Sequence, residues 1–425
     1  MSAYKYSLCC ALLALFFCFE SKGQAAKSPF SSFGLGEPYG NALVHNQGMA
    51  GIGISNYDYL HLNNKNPALL VFNRVTVFQA GFVGEQRTIK GASASEKTGS
   101  GNLNYLALGF PAKRGKWAMG LGLMPYSSVN YRLNYSSPIE NSTNTLDVVE
   151  TGTGGINQLY WSNGVSLHPN ISVGLKSTYY FSAIINEYLT NLNQTSQLIP
   201  YSTNIYDRQS FTGFGFSGGI SFHKDSLFRK KDMQINVGLV YDFKSDIRTK
   251  FYERIERRNA AGITDSTTLI NNIPGNTTIP QAISGGISIG KKLQWLVGVD
   301  FTYLDYTQYK DFNGSTGAAT SGYELAIGGK VTPDAGSVSN YLKRVTYRTG
   351  VSLSEAPYLI NGNKLRDFGI NFGLSLPVNR ISSVDLALKV GKRGDLQTNT
   401  VEENYIKLYF GVTFNDQWFI KRRFD

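Results

Sequence analysis

One short stretch of the chain matches the spacing of a serine nucleophile motif. Gly215, Ser217 and Gly219 fit the pattern Gly-x-Ser-x-Gly, in which the serine of a hydrolase sits on a sharp turn between a strand and a helix. Here Phe214 and Phe216 alternate with small residues and continue a strand, which leaves no turn for the serine. The motif therefore predicts no catalytic serine, and we expect the chain not to be an enzyme.

The histidines predict neither a metal site nor a general base. His45, His61, His168 and His223 are scattered, without the His-Glu-x-x-His spacing or the acidic neighbours of a metal site. The glycine-rich residues 48–53 lack the preceding strand and the following helix of a nucleotide site. We therefore expect no cofactor and no metal.

Basic side chains on the inner face of a sheet could bind the carboxylate of an amphiphilic ligand. If Val345, Tyr347 and Val351 point outward, alternation turns Arg344 and Arg348 inward. Arginine holds a carboxylate well because its guanidinium donates two parallel hydrogen bonds. The alternative, which we favour, is that the inward ionic residues form an internal network of ion pairs. The same alternation places further ionic residues inside, namely Lys176, Lys389, Lys407, Asp300, Asp367 and Asp385.

From about residue 73 the chain alternates between apolar and polar residues, and this alternation predicts β-strands. Strands would therefore position the inward side chains. The clearest run sets Met233, Ile235 and Val237 against Gln234 and Asn236. Several runs reach ten residues or more, whereas strands average about five or six residues in globular proteins. A polar inner face with a continuous apolar outer face is typical of a membrane barrel.

The number of runs predicts the size of the barrel. We count fourteen, and they should close into a ring because every backbone group in lipid needs a partner. The shortest links should face the periplasm together with both termini, and long loops at 187–207 and 251–279 should lie at the other end. Trp117, Trp295 and Trp418 should form an aromatic girdle at the periplasmic side. The runs lie at residues 73–88, 102–112, 116–135, 151–167, 171–186, 208–223, 232–250, 280–290, 293–309, 321–331, 342–357, 365–376, 382–391 and 403–414.

The first 23 residues have the features of an export signal. Lys5 precedes an apolar run over residues 8–19 that is too short to span a bilayer, and small residues follow at 21–23. All three cysteines, Cys9, Cys10 and Cys18, lie in this segment. Its removal leaves no thiol for disulfides, metal binding or nucleophilic catalysis. We expect an exported protein of the cell outer membrane.

The chain is basic, with a formal net charge of +11. Such a surface suits nucleic acid on one hand, or anionic lipid headgroups and lipopolysaccharide on the other. Export and the lack of a nucleic-acid-binding motif favour the second group. We therefore expect contacts with membrane lipids and lipopolysaccharide and none with nucleic acid; the alternative is that the positive charge only forms a solvated surface.

Residues 24–72 precede the strands, do not alternate, and are rich in glycine and polar residues. Two stretches stand out, Ser31-Ser32-Phe33-Gly34-Leu35-Gly36 and Asn66-Pro67-Ala68-Leu69. Their order, after an export signal and before a series of strands, resembles the start of the long-chain fatty acid transporter (FadL-type) family of outer-membrane barrels. In that family such stretches belong to a hatch that plugs the pore. The resemblance implies an all-β, 14-stranded antiparallel transmembrane barrel over residues 73–414, with residues 24–72 as a plug inside it.

The resemblance extends to the third strand, which is kinked in this family and opens a lateral gap in the wall. Pro125 lies within the third run here, and a proline inside a strand marks a bulge or kink because it has no N–H to donate. The small residues at 118, 120 and 122 should leave a groove beside it for an acyl chain or an aromatic ring. The predicted ligand-binding residues are Phe30, Phe33, Leu35, Gly120, Gly122, Pro125, Arg344 and Arg348.

Members of the family carry long-chain fatty acids or aromatic hydrocarbons across the outer membrane. The resemblance thus implies passive uptake of hydrophobic small molecules by a monomeric barrel, with lateral release into the membrane. The alternative is an outer-membrane scaffold, or a secretion or assembly partner of another envelope protein, that uses the same barrel. Residues 415–425 should form a periplasmic tail, which departs from the usual aromatic last residue because Phe424 is penultimate.

Overall fold

The structure is a computed structural model and describes residues 25–92, 94–139, 145–192, 202–225, 233–259 and 262–417. The expected export signal, Trp418 and residues 418–425 of the expected tail lie outside these ranges.

Within the described ranges, fourteen antiparallel strands form the wall. In chain order they are β1 (Thr76–Lys90), β2 (Ser95–Lys113), β3 (Trp117–Pro138), β4 (Thr145–His168), β5 (Ile171–Leu192), β6 (Ser202–Asp225), β7 (Met233–Asp242 and Ser245–Asn259), β8 (Gly262–Ile279 and Gln281–Lys291), β9 (Trp295–Asp305), β10 (Ser321–Val331), β11 (Thr346–Ile360), β12 (Asn363–Pro377), β13 (Ser383–Asp395) and β14 (Val401–Asp416). We count β7 and β8 as one strand each, because both pieces of β7 pair with β6 on one side and with β8 on the other.

The sheet closes on itself through its first and last strands. β14 pairs with β1 from Glu402 opposite Lys90 to Asp416 opposite Thr76. The other strands pair with their neighbours in sequence, always antiparallel. The predicted 14-stranded antiparallel barrel is therefore confirmed.

The outer face of the wall is apolar. On β3 and β6, exposed Leu121, Leu123, Phe214 and Phe216 alternate with residues that turn inward. A barrel of this kind pairs its backbone groups within the sheet and presents apolar side chains to hydrocarbon. No helix in the described part of the chain is long and apolar enough to cross a membrane.

The two ends of the barrel differ in the length of their links. We call the end with residues 114–116, 169–170, 292–294 and 378–382 the turn end, and the opposite end the loop end. Trp117 and Trp295 begin β3 and β9 at the turn end, where the predicted girdle places them, and both are exposed.

The prediction of long loops at 187–207 and 251–279 is wrong for residues 187–192, 202–207, 251–259 and 262–279, whereas residues 193–201 and 260–261 lie outside the described ranges. β5 continues to Leu192 and β6 begins at Ser202, while β7 continues to Asn259 and β8 begins at Gly262. The ladder can continue here because it needs only backbone groups, whereas apolar alternation marks only the part of a strand that faces lipid. The wall is therefore taller along β3–β8 than along β9–β14.

Residues 25–75, called the N-terminal segment below, contain only short elements. A Cβ atom added to Gly174 of β5 would overlap the backbone nitrogen of Ala68, and one added to Gly373 of β12 would lie 2.7 Å from the Cα of Gly48. The segment therefore approaches opposite parts of the wall from inside, and glycine permits this contact. The segment contains the 3-10 helices Pro29–Ser32 and Pro67–Phe72, the α-helical turn Val44–Gln47 and the two-residue strand Glu37–Pro38. Outside the segment, a helical turn at Tyr341–Arg344 lies between β10 and β11.

Gly286→Val should push the N-terminal segment away from the wall, because a Cβ there would overlap the Asp300 carboxylate, which accepts the Gly53 and Ile54 backbone N–H groups, and would lie 2.9 Å from the Cβ of Ile54. Overpacking of a filled interior costs roughly 1–3 kcal/mol. We expect faster proteolysis within residues 25–75 while the barrel still folds. The control is Gly285→Val, since a Cβ at this adjacent residue meets nothing within 4 Å. Equal protease resistance of the two variants would contradict the described packing.

Candidate functional site

The ladder between β2 and β3 stops halfway along the strands. It runs from Lys113 opposite Trp117 to Leu106 opposite Leu123, and residues 95–105 and 124–138 share no ladder in the described part of the chain. Pro125 comes directly after the break and has no N–H to donate. On its other side β3 keeps its pairing with β4, with a register shift between Pro125 and Ser127. The predicted interruption at Pro125 is therefore confirmed, and we call the unpaired region the wall gap.

The N-terminal segment pairs with the free edge of β3 in the wall gap. Glu37 and Pro38 lie opposite Ser128 and Ser127 in an antiparallel ladder. The next residue continues this contact, since Tyr39 donates its backbone N–H to the Tyr126 carbonyl at 3.1 Å. Backbone groups that β2 leaves unpaired are thus partly satisfied by another part of the chain.

Residues near the start of the segment bridge both sides of the wall gap. Ser28 donates its backbone N–H to the Asn130 carbonyl on β3 at 2.8 Å. Its neighbour Lys27 donates to the Thr98 hydroxyl of β2 at 3.3 Å and forms an ion pair with Glu96 at 3.3 Å. The segment therefore contacts both strands where they separate.

Gly36 shows why the Ser31 to Gly36 stretch contains glycine. Its φ of +92° lies in the left-handed region, and a Cβ there would lie 2.6 Å from the Ser128 carbonyl oxygen. Any side chain at this position would separate the segment from β3. In the second stretch, Asn66 accepts a hydrogen bond from the Ala68 backbone N–H at 3.0 Å and so caps the Pro67–Phe72 helix.

Glu37 anchors this contact through buried ion pairs. Its carboxylate lies 3.0 Å from Arg87, 2.8 Å from Arg393 and 3.4 Å from Lys407. Burial opposes ionisation, but the positive charges of Arg393, Arg87 and Lys407 hold the pKa of Glu37 well below its usual value. Glu37 is thus charged at neutral pH, and its partners on β1, β13 and β14 fix the position of the segment.

The cations around Glu37 belong to a network that also contains other inward residues. Asp367 accepts from Arg393 at 2.8 Å and lies 3.8 Å from Lys389. The favoured interpretation, an internal network of ion pairs, is confirmed for Asp367, Lys389 and Lys407. Sequence reasoning missed Glu37, Arg87 and Arg393; the alternation of β1 and β13 would have placed both arginines inside, but nothing in the sequence pairs them with Glu37.

A cavity of about 470 Å³ lies between the N-terminal segment and the loop-end half of the wall. It reaches the wall gap, because Pro38, Tyr126 and Ser127 line it. Phe33 and Leu35 line it from the segment, and Phe33 stacks on Tyr358 at 5.3 Å between ring centroids. The remaining aromatic side chains that line it from inside are Tyr180, Tyr306 and Tyr309. This aromatic surface could contact a small apolar molecule, but it is interspersed with many polar side chains, among them the ionisable residues Lys65, Lys176, Asp242, Asp311 and Glu324.

The predicted ligand-binding residues do not all meet in this cavity. Phe33 and Leu35 lie in it and Pro125 lies beside it, whereas Phe30 is buried with Ile360 and Leu365 outside its lining. The groove expected beside Gly120 and Gly122 is filled. A Cβ at Gly120 would lie 3.4 Å from Leu70, and one at Gly122 would lie inside contact distance of the Tyr160 ring. The small residues of β3 accommodate large neighbours rather than a ligand.

Arg344 and Arg348 lie at the turn end, away from the cavity. Arg348 is buried and inward, as predicted, and donates to the Ser375 hydroxyl. The inward placement predicted for Arg344 is wrong: the residue is exposed in the Tyr341–Arg344 helical turn, and Val345 is buried. The alternation fails because β11 begins only at Thr346.

Near the turn end, His61 ties the N-terminal segment to β13. Its ring lies 3.3 Å from Asp58 and 3.1 Å from Asp385. Burial by itself lowers the pKa of His61, but the carboxylates of Asp385 and Asp58 raise it to about 9. The imidazole is therefore charged at neutral pH and forms ion pairs with both carboxylates.

The comparisons with known proteins agree with this geometry. A family model described as BamG matches residues 5–425. The chain belongs to the BamG family. A search of curated proteins finds no match to this BamG-family barrel.

Solved structures similar to the BamG-family barrel share its fold at low sequence identity. The toluene transporter TbuX of Ralstonia pickettii is 14% identical, with 88% of this chain and 98% of that chain covered and a TM-score of 0.54. A FadL homologue of Pseudomonas aeruginosa is 12% identical, with 89% and 98% covered and a TM-score of 0.57. The toluene transporter TodX of P. putida is 12% identical, with 89% and 100% covered and a TM-score of 0.56. The resemblance to FadL-type barrels is therefore confirmed for the fold.

Glu37→Gln should release the N-terminal segment of the BamG-family barrel from the wall gap. The substitution removes the carboxylate that forms buried ion pairs with Arg87 and Arg393. Breaking a buried ion pair costs roughly 3–5 kcal/mol of stability. We expect higher conductance of the variant in planar bilayers.

Glu85→Gln is the matched control, because it removes one negative charge from the same ion-pair network. Glu85 also binds Arg87 and Lys407, but it lies on β1 and does not hold the segment. Conductance that rises equally in both variants would show that lost charge, and not release of the segment, causes the change.

Docking of the segment should weaken at alkaline pH because of His61. The pKa of His61 is about 9 in the folded protein and about 6.5 in the unfolded chain. The protonated imidazole therefore stabilises the docked segment fully below pH 6.5, and this stabilisation is lost as the pH rises through 9. Limited proteolysis within residues 25–75 should accelerate over this window. His61→Gln should remove that pH-dependent step, while His168→Gln at an exposed turn should keep it. An unchanged pH profile of His61→Gln would contradict the assignment.

Proposed function

We propose that this BamG-family barrel takes up hydrophobic small molecules passively across the outer membrane. The ligand would enter the loop-end cavity and leave sideways through the wall gap. The observation that supports this proposal most strongly is the end of the β2–β3 ladder at Leu106 and Leu123, next to a cavity lined by Tyr126 and Ser127.

Passive transfer along this route requires neither a catalytic group nor an energy source. Transfer of an apolar ligand from water into the cavity is favourable by about 0.8 kcal/mol for each buried CH₂. The apolar outer face next to the wall gap, with exposed Phe82, Leu103 and Leu123, would receive it. Cavities of about 300–1,000 Å³ are the usual size for small-molecule sites, and the one here, at 470 Å³, lies in that range.

Movement of the N-terminal segment would control the exit. Glu37, Pro38 and Tyr39 occupy the edge of β3, so a ligand cannot pass until these residues leave it. In this proposal residues 24–72 act as the plug. The plug would open only in part, because the His61 and Asp385 contact at the turn end is separate from the wall gap.

The structural neighbours support the substrate class in general terms. Two of them are toluene transporters, and a third is a FadL homologue. We extend from them to this chain only the class of hydrophobic small molecules, fatty acids or aromatic hydrocarbons alike. An outer-membrane location with lipid and lipopolysaccharide around a single barrel is part of the same proposal, and the apolar outer face supports it.

A reversible crosslink can test the exit directly. Pro38 and Ser127 are direct partners in the ladder, a position where Cα atoms are about 4.5–5.5 Å apart and a disulfide fits. The described residues contain no cysteine, so Pro38→Cys with Ser127→Cys introduces one defined pair. Oxidation should reduce uptake of a fluorescent hydrophobic tracer by intact cells at least about tenfold, and reduction should restore it.

Each single cysteine variant is the control for this experiment. Neither should respond to oxidation or reduction. Uptake that stays the same in the oxidised double variant would exclude the wall gap as the exit.

The second candidate is a scaffold that binds another envelope protein and transports nothing. The match to the BamG family over the whole chain does not itself point to a transporter, and the wall gap is occupied by backbone pairing and buried ion pairs. Purification in mild detergent separates the two functions. A hydrophobic ligand retained in the cavity supports uptake, while a stoichiometric protein partner with an empty cavity supports the scaffold.

A further inference from the structure

A second cavity, of about 860 Å³, opens at the turn end and carries a strong positive charge. The cationic residues that line it are His61, Lys291, Lys292, Lys330, Arg344, Arg348 and Arg380, against one carboxylate, Asp58, among the described residues. No part of the uptake route uses this cavity.

The single carboxylate does not neutralise these cations. Asp58 already binds Lys330 at 3.1 Å and His61 at 3.3 Å. Among the described residues, Lys292, Arg344 and Arg380 have no carboxylate within the 4.0 Å of an ion pair. Positive charge therefore remains available at the rim.

Aromatic rings hold two of the rim cations in place. Lys292 lies 5.5 Å above the Tyr59 ring, and Arg344 lies 5.3 Å above the Tyr341 ring. Such contacts restrict long side chains without neutralising them. Both cations thus keep their charge while they lose conformational freedom.

Deeper in the cavity, Arg348 is incompletely satisfied. It is 5% exposed and lines the cavity, and its Nε has no hydrogen-bond partner among the described residues. A buried guanidinium N–H without a partner is costly, and an anionic group would satisfy it. This observation is independent of the charge at the rim and also indicates an anionic ligand.

Exposed apolar side chains surround the same opening. Leu293, Val338 and Val378 line it and are 67%, 95% and 71% exposed. Turns of a barrel are usually polar where they meet water. A ligand that contacts these residues as well as the cations must carry both acidic and apolar groups.

We propose that the turn-end cavity binds an acidic, partly apolar polypeptide segment of a partner protein. The cavity lies within the ring of strand ends, between the N-terminal segment and the turns, whereas lipid headgroups surround the outer face of the wall. The chain's own residues 418–425 do not fit, because Lys421, Arg422 and Arg423 make them basic. The proposal does not depend on hydrophobic uptake.

The probe is a fluorescent peptide of about eight residues that alternates Glu and Val, titrated by anisotropy against the purified full-length barrel. A peptide with Gln in place of Glu serves as the uncharged comparison. The turn-end variant is Lys292→Glu, Arg344→Glu and Arg380→Glu, three exposed residues. Its control is Lys97→Glu, Arg132→Glu and Lys310→Glu, three exposed residues toward the loop end that change the net charge equally.

We expect the Glu peptide to bind the native barrel at least about tenfold more tightly than the Gln peptide, with affinity that falls as salt rises. The turn-end variant should lose about tenfold in affinity and the loop-end control should lose little. If the turn-end variant fails to fold, Arg380→Glu alone is measured, with about a twofold to threefold loss expected.

Three results would overturn the proposal. Equal losses in both triple variants would show that only net charge matters. Equal binding of the Glu and Gln peptides would exclude the cations. Displacement of the peptide by short-chain phosphatidylglycerol at a lower concentration than by unlabelled peptide would assign the cavity to a lipid headgroup.

Discussion

Backbone pairing in hydrocarbon is the constraint on which the rest of the structure depends. A strand in lipid cannot leave its N–H and C=O groups unpaired, so the fourteen strands close into a ring. Among the described residues, the ladder between β2 and β3 ends at Leu106 and Leu123 and leaves a break in the ring. The N-terminal segment meets the constraint there, because Glu37 and Pro38 pair with the exposed edge of β3. The segment is thus part of the wall as well as a filling of the interior.

Charge pairing in the interior determines where the segment sits. Glu37 is held by Arg87, Arg393 and Lys407 beside the wall gap, and His61 is held by Asp58 and Asp385 near the turn end. An ionic group buried without a partner is costly, so each contact also fixes the register of the backbone around it. The two anchors lie on different parts of the segment, and this separation permits local release at the wall gap.

Much of the barrel could be predicted from the sequence. Apolar alternation identified all fourteen strands, because lipid on one side and a polar interior on the other impose a period of two. It failed where lipid is absent. The described parts of 187–207 and 251–279 are strands that extend beyond the apolar alternation, and Arg344 lies in a helical turn ahead of β11.

The candidate site was harder to predict than the wall. Pro125 revealed the break in the ladder because its missing N–H is a local property. Gly120 and Gly122 suggested open space, but Leu70 and Tyr160 fill it from distant parts of the chain. The pairing of Glu37 with Arg393, and the cation-rich turn-end cavity, likewise depend on contacts between residues far apart in sequence. Local periodicity carries no information about such contacts.

Amide hydrogen exchange at the edge of β3 tests the central claim most directly. The claim is that the N-terminal segment, and not β2, protects this edge: Asn130 donates its backbone N–H to the Ser31 hydroxyl at 3.1 Å, and Ser28 and Tyr39 donate theirs to β3. We predict slow exchange at Asn130 in the full chain and fast exchange in a chain that lacks residues 25–39, with Leu121 equally slow in both. Slow exchange at Asn130 in the shortened chain would contradict the account, because it would mean that β2 and β3 pair directly.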